Sequence, residues 1–319
     1  MIFPVRRFSL SERDFHRITT VVLVLLVLIV VTGAAVRLSG SGLGCTDWPN
    51  CEKGHLVAPW ERHAMVEFVN RLITGLVSLA VIVAVLGSLV RAPKRRDLVW
   101  LSIGLVAGVI GQIVLGGIVV LFDLNPVLVQ GHFILSMALV ADAVVLHHRA
   151  GEADGARRPV VTPGLHRLGA ALVVLAGLVI VTGTVVTGSG PHAGDERAKR
   201  LPFTLHSAAR VHGTMMILFL GVTLAAMWRM RSERAPVTVQ RSAEALLFVL
   251  VLQAAVGYTQ YFTEIPPLLV GLHVLGAALV WIAVLHLALG MSAPAEGLRD
   301  WGDVVHAGGG AHRDRVAHR

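Results

Sequence analysis

Ile18-Thr-Thr-Val-Val-Leu-Val-Leu-Leu-Val-Leu-Ile-Val-Val-Thr-Gly-Ala-Ala-Val36, preceded by His16-Arg17 and followed by Arg37, is the stretch that decides the fold. It carries no charge and is long enough to cross a hydrocarbon core of roughly 30 Å as a helix. It is also too long for the apolar region of a typical signal peptide. The deciding observation is that it has an internal counterpart. His16-Arg17 precedes Val31-Thr32-Gly33 just as His166-Arg167 precedes Val181-Thr182-Gly183, both at an offset of 150 residues without a gap. A segment in the middle of the chain cannot be a cleaved leader, so both copies are read as transmembrane helices.

Further apolar blocks of similar length follow, and the predicted spans are 18–38, 66–90, 98–121, 128–148, 167–187, 205–228, 243–262 and 268–290. A second correspondence joins Pro126-Val-Leu-Val-Gln-Gly-His132 to Pro267-Leu-Leu-Val-Gly-Leu-His273, with a Pro six residues before a His in each. Four spans return a chain to the side it left. The expected fold is therefore all-α and integral to the membrane, with eight transmembrane helices in two pseudo-repeated four-helix halves, 1–150 and 151–290. The polar, Gly- and His-rich residues 291–319 are expected to be a disordered cytoplasmic tail. Gly104, Gly108 and Gly111 share a helix face that suits close helix approach in lipid.

Composition agrees. Of 319 residues, 55% are hydrophobic and only 15% charged, too few to cover a soluble domain of this size. The formal charge of +8 is distributed by topology rather than gathered into a nucleic-acid face. Basic residues cluster at Arg6, Arg7, Arg13 and Arg17, at Arg91 to Arg96, at Arg149 to Arg158, and at Arg229 to Arg241, while the alternate connections are poorer. Arg197, Lys199 and Arg200 alone run against the trend. The positive-inside pattern puts both termini in the cytoplasm, and no nucleic-acid partner is expected.

Residues able to bind a ligand or a proton inside a membrane are costly to bury and are read as functional candidates. His132, His212 and His273 each fall within about two turns of the outer end of a predicted helix. By the repeat His132 matches His273, and the match to His212 is Asn70, which stands 62 residues before His132 as His212 stands 61 before His273. A His on helix six facing a His on helix eight across a bundle is an arrangement that can ligate a haem iron from both sides. Zinc is less suited, since no close His/Cys/carboxylate cluster is present. His147, His148 and His286 near cytoplasmic helix ends, and His55 and His63 in the first outer loop, are expected to be interfacial or solvated. His306, His312 and His318 belong to the tail, whereas His192 and His206 are left open, since the loop Thr187-Gly-Ser-Gly-Pro-His192-Ala-Gly-Asp195 could cover a haem edge.

Glu67 opens the second helix and shares a face with Asn70 and Arg71. It reads either as an interfacial ion pair with Arg71 or as a carboxylate aimed into the first-half pocket. The second half has no acid in the comparable stretch, Ser207-Ala-Ala-Arg-Val-His212. One half thus offers two histidines, the other one His and an acid. Cys45 and Cys51 are the only cysteines and lie in an outer loop, where a disulfide can persist; the alternative is two free thiols. Closing so short a loop stabilises by roughly 2 kcal/mol in the chain-entropy model, mostly as local order.

The run Val31-Thr-Gly-Ala-Ala-Val-Arg37-Leu-Ser-Gly-Ser-Gly-Leu-Gly-Cys45-Thr-Asp-Trp-Pro-Asn-Cys51 resembles the first helix and outer loop of the heme A synthase family. So do Glu67-Phe-Val-Asn70-Arg71, the loop Val186-Thr-Gly-Ser-Gly-Pro-His-Ala-Gly-Asp195, and Pro266-Pro267 leading to His273. The resemblance covers all but the tail. It implies a bacterial-type cell-membrane enzyme that converts haem O to haem A by successive hydroxylation of a ring methyl to a formyl group, in support of terminal oxidase assembly. By position, it implies that His212 and His273 hold haem b in the second half. It further implies that His132 and the catalytic Glu67 form the substrate site in the first, with both haem sites towards the outer face and Cys45–Cys51 as the loop disulfide. The partners it suggests are haem O, membrane lipid, haem O synthase (the protohaem farnesyltransferase) and an unidentified electron donor, with a homo-oligomer left open. One departure is Asn70, where many members of the family carry His. The competing readings are a di-haem b-type cytochrome that passes electrons without altering haem, and a repeat-built transporter. The latter calls for helices broken at mid-membrane, whereas Pro126 and Pro267 sit at helix ends.

Overall fold

The computed structural model describes residues 9–45, 47–53, 55 and 57–295. Ser11 starts the first helix, its side chain accepting from the Asp14 amide at 3.1 Å, with Glu12 and Asp14 in the first turn where negative charge is favoured. Eight helices follow one another: α1 (Glu12–Leu38), α2 (Arg62–Val90), α3 (Arg96–Leu121), α4 (Pro126–Ala150), α5 (Pro163–Ser189), α6 (Leu205–Ser232), α7 (Val237–Phe262) and α8 (Pro267–Gly290). All eight are long and apolar enough to cross a membrane. Their centres fall on the predicted spans and their ends run further. Polar turns such as 12–17 in α1 and 229–232 in α6 continue the helix beyond its apolar stretch, because a helix satisfies its backbone beyond the hydrocarbon as well as within it.

Within each half the four helices close a ring: α1 packs on α2 and α4, and α3 joins α2 to α4, while α5, α6, α7 and α8 repeat the pattern. The halves meet through α1, α4, α5 and α8, leaving α2, α3, α6 and α7 outside. Trp281 on α8 crosses the seam, donating from its indole nitrogen to the carbonyl of Met137 on α4 at 2.9 Å. Gln130 on α4 likewise reaches the carbonyl of Thr184 on α5 at 3.3 Å. The glycine face of α3 works as expected: Gly104, Gly108 and Gly111 lie against Asp142, Leu139 and Leu135 of α4.

The repeat recurs in the backbone. Asp123-Leu124 and Glu264-Ile265, 141 residues apart, both take left-handed conformations, with φ of 50° and 55° in the first pair and 62° and 60° in the second. Each turn is closed the same way, Leu124 N donating to Val119 O at 2.9 Å and Ile265 N to Gln260 O at 2.8 Å. Such a conformation is costly for residues with a Cβ, so its repetition points to a shared demand. Each turn sends the chain back into the membrane just before Pro126 or Pro267.

At the opposite, basic end the connections are built around buried cations. Arg91 is 2% exposed and bonds Glu12 at 3.0 Å. The segment expected to begin the tail is ordered at its start. Met291 is fully buried beside Gly169, and β2 (Ser292–Pro294) pairs antiparallel with β1 (Arg157–Pro159). The apolar Met291 side chain explains the correction, since it packs as a final core residue. Residues 296–319, including His306, His312 and His318, lie outside the described residues.

The seam carries a test. Trp281→Phe keeps most of the ring and removes the donor to Met137, which should cost about 1 kcal/mol. The thermal midpoint in detergent should fall by about 2 °C; an unchanged midpoint would mean that the halves are held together without this bond.

Candidate functional site

The end of the bundle bearing the disulfide collects the residues singled out above. In the second half His212, on α6, turns its Nδ1 towards α5, where the Val179 carbonyl lies at 3.1 Å and the Thr182 hydroxyl at 3.2 Å. A carbonyl only accepts, so Nδ1 carries the proton and Nε2 keeps its lone pair for a ligand. Gly183 makes room for the ring: a Cβ there would sit 3.1 Å from His212 Cε1. His273 of α8 rests in the same manner on Gly257 of α7, where a Cβ would come within 2.9 Å of its Cε1. The two ring centres are 6.3 Å apart, with planes inclined at 69°. Two imidazoles bonded to one iron from opposite sides, at about 2 Å each, have centres about 6 Å apart. The donor set and its spacing therefore fit a haem iron.

The first half repeats half of this arrangement. His132 of α4 rests on Gly116 of α3, where a Cβ would lie 3.3 Å from its Cε1. Gln112 donates to the His132 carbonyl at 3.1 Å, as Gln253 donates to that of His273 at 2.8 Å. Nδ1 of His132 and of His273 are both buried without a hydrogen-bond partner among the described residues. The partner imidazole is absent here. Asn70 stands at that place with a buried, unbonded Oδ1, and around Gly33, the counterpart of Gly183, a Cβ would meet nothing within 4 Å. No group of three or more His, Cys, Asp or Glu that could hold a metal ion by itself occurs among the described residues.

Glu67 forms the expected ion pair with Arg71, at 2.5 Å, and is buried in doing so, at 5% exposed. Its other oxygen accepts from the Cys45 amide at 2.9 Å, so the carboxylate ties α2 to the loop. Cys45 and Cys51 are bonded to each other, as the resemblance implies. Arg71 completes the anchor by donating to the carbonyls of Asp47, Pro49 and Asn50 at 3.0–3.2 Å. Trp48, carried by the same loop, lies on Gly117 of α3, next to the glycine that receives His132. The disulfide loop therefore covers α3 beside the seat of His132, and Glu67 is bonded to it from α2.

Two contributors escaped the sequence reading. Trp48 had a visible signal, an aromatic residue inside a six-residue disulfide span, but its seat on α3 depends on tertiary packing. Arg37 donates to the His192 carbonyl at 2.5 Å, and His192 Nε2 meets the Ile265 carbonyl at 2.8 Å, so the second outer loop is bonded to both halves. In that loop the Arg197 side chain, bonding at 3.0 Å, holds the Asp195 carboxyl below the usual range.

Among the other histidines, His206 is exposed and bonds Tyr261 at 2.9 Å, and His55 is exposed. His63 belongs to α2 rather than to the loop, and its Nδ1 bonds the Ser41 hydroxyl at 2.9 Å. At the basic end His147 stacks on His16 with centres 4.2 Å apart, and His148 meets His286 at 5.9 Å. These four half-buried rings meet where α1, α4 and α8 come together near their basic ends.

Comparison with known proteins converges on one family. A family model described as Cytochrome oxidase assembly protein (COX15-CtaA) matches residues 16–285. Proteins named heme A synthase from Listeria welshimeri and Listeria monocytogenes are 30% identical over 181 residues, covering 54% of this chain and 59% of theirs. One from Shewanella oneidensis is 27% identical over 188 residues, covering 53% of this chain and 54% of its own. The chain thus spans between half and three fifths of the length of the curated relatives it matches. With a match running from the start of the first helix almost to the end of the eighth, the chain belongs to the cytochrome oxidase assembly protein family.

Proposed function

We propose that this chain is a heme A synthase: it oxidises a ring methyl of haem O to the formyl group of haem A by two successive hydroxylations and loss of water. The observation that carries the reading is the inequality of two matching sites, His212 with His273 in one half and Asn70 with His132 and Glu67 in the other. Family membership and relatives bearing that name support it. In orientation, the disulfide end faces the oxidising outer side and the basic end, with both termini, faces the cytoplasm.

In this reading His212 and His273 hold haem b, which supplies electron transfer when bound. The Val179 carbonyl keeps the proton of His212 on Nδ1, which would leave the Nε2 lone pair free to hold the haem. The substrate, haem O, enters sideways from lipid into the first half, where His132 addresses its iron and Asn70 leaves the opposite side without an imidazole. Trp48 and the disulfide loop exclude water from above. Glu67 holds negative charge beside the carbon being oxidised, where it stabilises positive charge or takes up a proton, and Arg71 fixes its position. Haem O synthase is the natural source of the substrate. Each hydroxylation takes two electrons from the methyl carbon and adds one oxygen atom; dioxygen would accept the electrons and supply the atom, its second atom leaving as water on two electrons and two protons from a further partner, the electron donor.

The test is mass analysis of haems extracted from the protein purified from cells that also make haem O. Haem A should appear with the native chain. It should fall by a hundredfold or more in Glu67→Gln, which keeps an acceptor for the Cys45 amide and removes the charge. Haem b alone from the native chain would contradict the reading and leave an electron-carrying cytochrome. A Glu67→Gln variant with normal haem A would remove Glu67 from the chemistry.

The ligand assignment has its own test. His212→Ala or His273→Ala should each abolish the bound haem b of the second half, while His132→Ala should leave it in place and lose haem O binding. Retention of haem b in both second-half variants would contradict the assignment.

A further inference from the structure

The basic end holds a cleft that the haem sites do not use. It has a volume of about 430 Å³ and lies between the start of α3, the end of α4 and the connection into β1, with Pro294 of β2 on its wall. That volume is in the range of small-ligand sites. Its floor is Arg95, only 7% exposed. Arg95 bonds Asp97 at 2.7 and 3.2 Å and the carbonyls of Arg149 and Glu152 at 2.9 Å each, which fixes the guanidinium in place. Arg157 is likewise committed, to Glu152 and to the carbonyls of Leu289 and Ser292.

Two other cations of the lining are free of ion pairs and a third is held only loosely. Lys94 and Arg96 are exposed and make no ion pair among the described residues. Arg149 pairs with Asp97 at 3.5 Å, and its Nε is buried without a partner among the described residues. The lining thus sets five cations against two carboxylates, Asp97 and Asp154. Charges that only set topology need no cavity and no buried floor. A concave site with surplus donors suits a compact, multiply accepting anion.

We propose that this cleft binds a phosphate group, that of an anionic phospholipid in the adjoining leaflet. The depth favours a lipid over a soluble phosphate ester. Arg96 is the first residue of α3 and Ala150 the last of α4, so the cleft sits where the spans emerge. Trp100, one turn further into α3, is 70% exposed, in the position of an aromatic residue at headgroup level. Basic pockets between helices at this depth are suited to phospholipid headgroups. A bound headgroup would tie α3 and α4 to the strand pair that links the halves, and so stabilise the folded chain by mass action.

The test uses the full chain, purified and delipidated in detergent, with its thermal midpoint followed as phosphatidylglycerol, phosphatidylcholine or inorganic phosphate is added. Phosphatidylglycerol should raise the midpoint saturably and phosphatidylcholine should not. Lys94→Gln/Arg96→Gln/Arg149→Gln should need on the order of a hundredfold more phosphatidylglycerol for the same shift. A control, Arg167→Gln/Arg234→Gln/Arg241→Gln, removes as much charge from the same end and should respond as the native chain does. If the triple variant fails to fold, Lys94→Gln alone, at an exposed side chain, should still need about fivefold more. Equal shifts with both lipids, or no difference between cleft and control variants, would overturn the site. The same shift from millimolar inorganic phosphate would overturn the lipid assignment in favour of a soluble phosphate ester.

Discussion

An imidazole inside a helical bundle needs space beside it and a partner for its proton, and glycine supplies the space here. His132, His212 and His273 each place Cε1 against a glycine of a neighbouring helix, Gly116, Gly183 and Gly257. A Cβ at any of these glycines would come within 3.3 Å of the ring. Because the bundle offers no water to rescue a displaced polar ring, this contact fixes where each imidazole can stand. The left-handed turns at 123–124 and 264–265 follow from the same demand, since they deliver α4 and α8 back into the bundle with His132 and His273 at matching depths.

On that repeated frame the two halves carry different residues at matching places. The second half keeps an imidazole pair at 6.3 Å. The first has Asn70 in place of one ring and open space beside Gly33, and it adds Glu67, Arg71 and the disulfide loop with Trp48. Holding a cofactor in place calls for two ligands and a closed shell, whereas altering a bound molecule calls for one ligand, an acid and a cover. In the proposed reading the differences between the halves follow that division. Glu67 ties three parts of the first half together, since one carboxylate oxygen accepts from the Cys45 amide and the other pairs with Arg71.

Much of this could be read from the chain alone. Apolar blocks located the cores of all eight helices, the offset of 150 residues between His16 and His166 identified the repeat, and a Pro six residues before each His paired His132 with His273. The helix ends were less legible, because a polar turn such as 12–17 carries no hydrophobic signal and is held by a cap and neighbouring charges. Contacts between distant segments were not legible at all. Arg71 collecting three loop carbonyls, Trp48 on Gly117 and the rings of His16 and His147 stacked at 4.2 Å depend on tertiary packing. Met291 was misplaced into a tail because the polar sequence after it outweighed one buried apolar side chain.

The central claim is that one site has two imidazoles and the other one. Electron paramagnetic resonance of the oxidised native protein, loaded with haem in both halves, reads that difference directly. The account predicts one low-spin signal from paired histidines and one high-spin signal from a singly ligated iron. It also predicts that Asn70→His converts the second signal to low spin without moving the first. Two low-spin signals in the native protein, or a high-spin signal unchanged by Asn70→His, would contradict it.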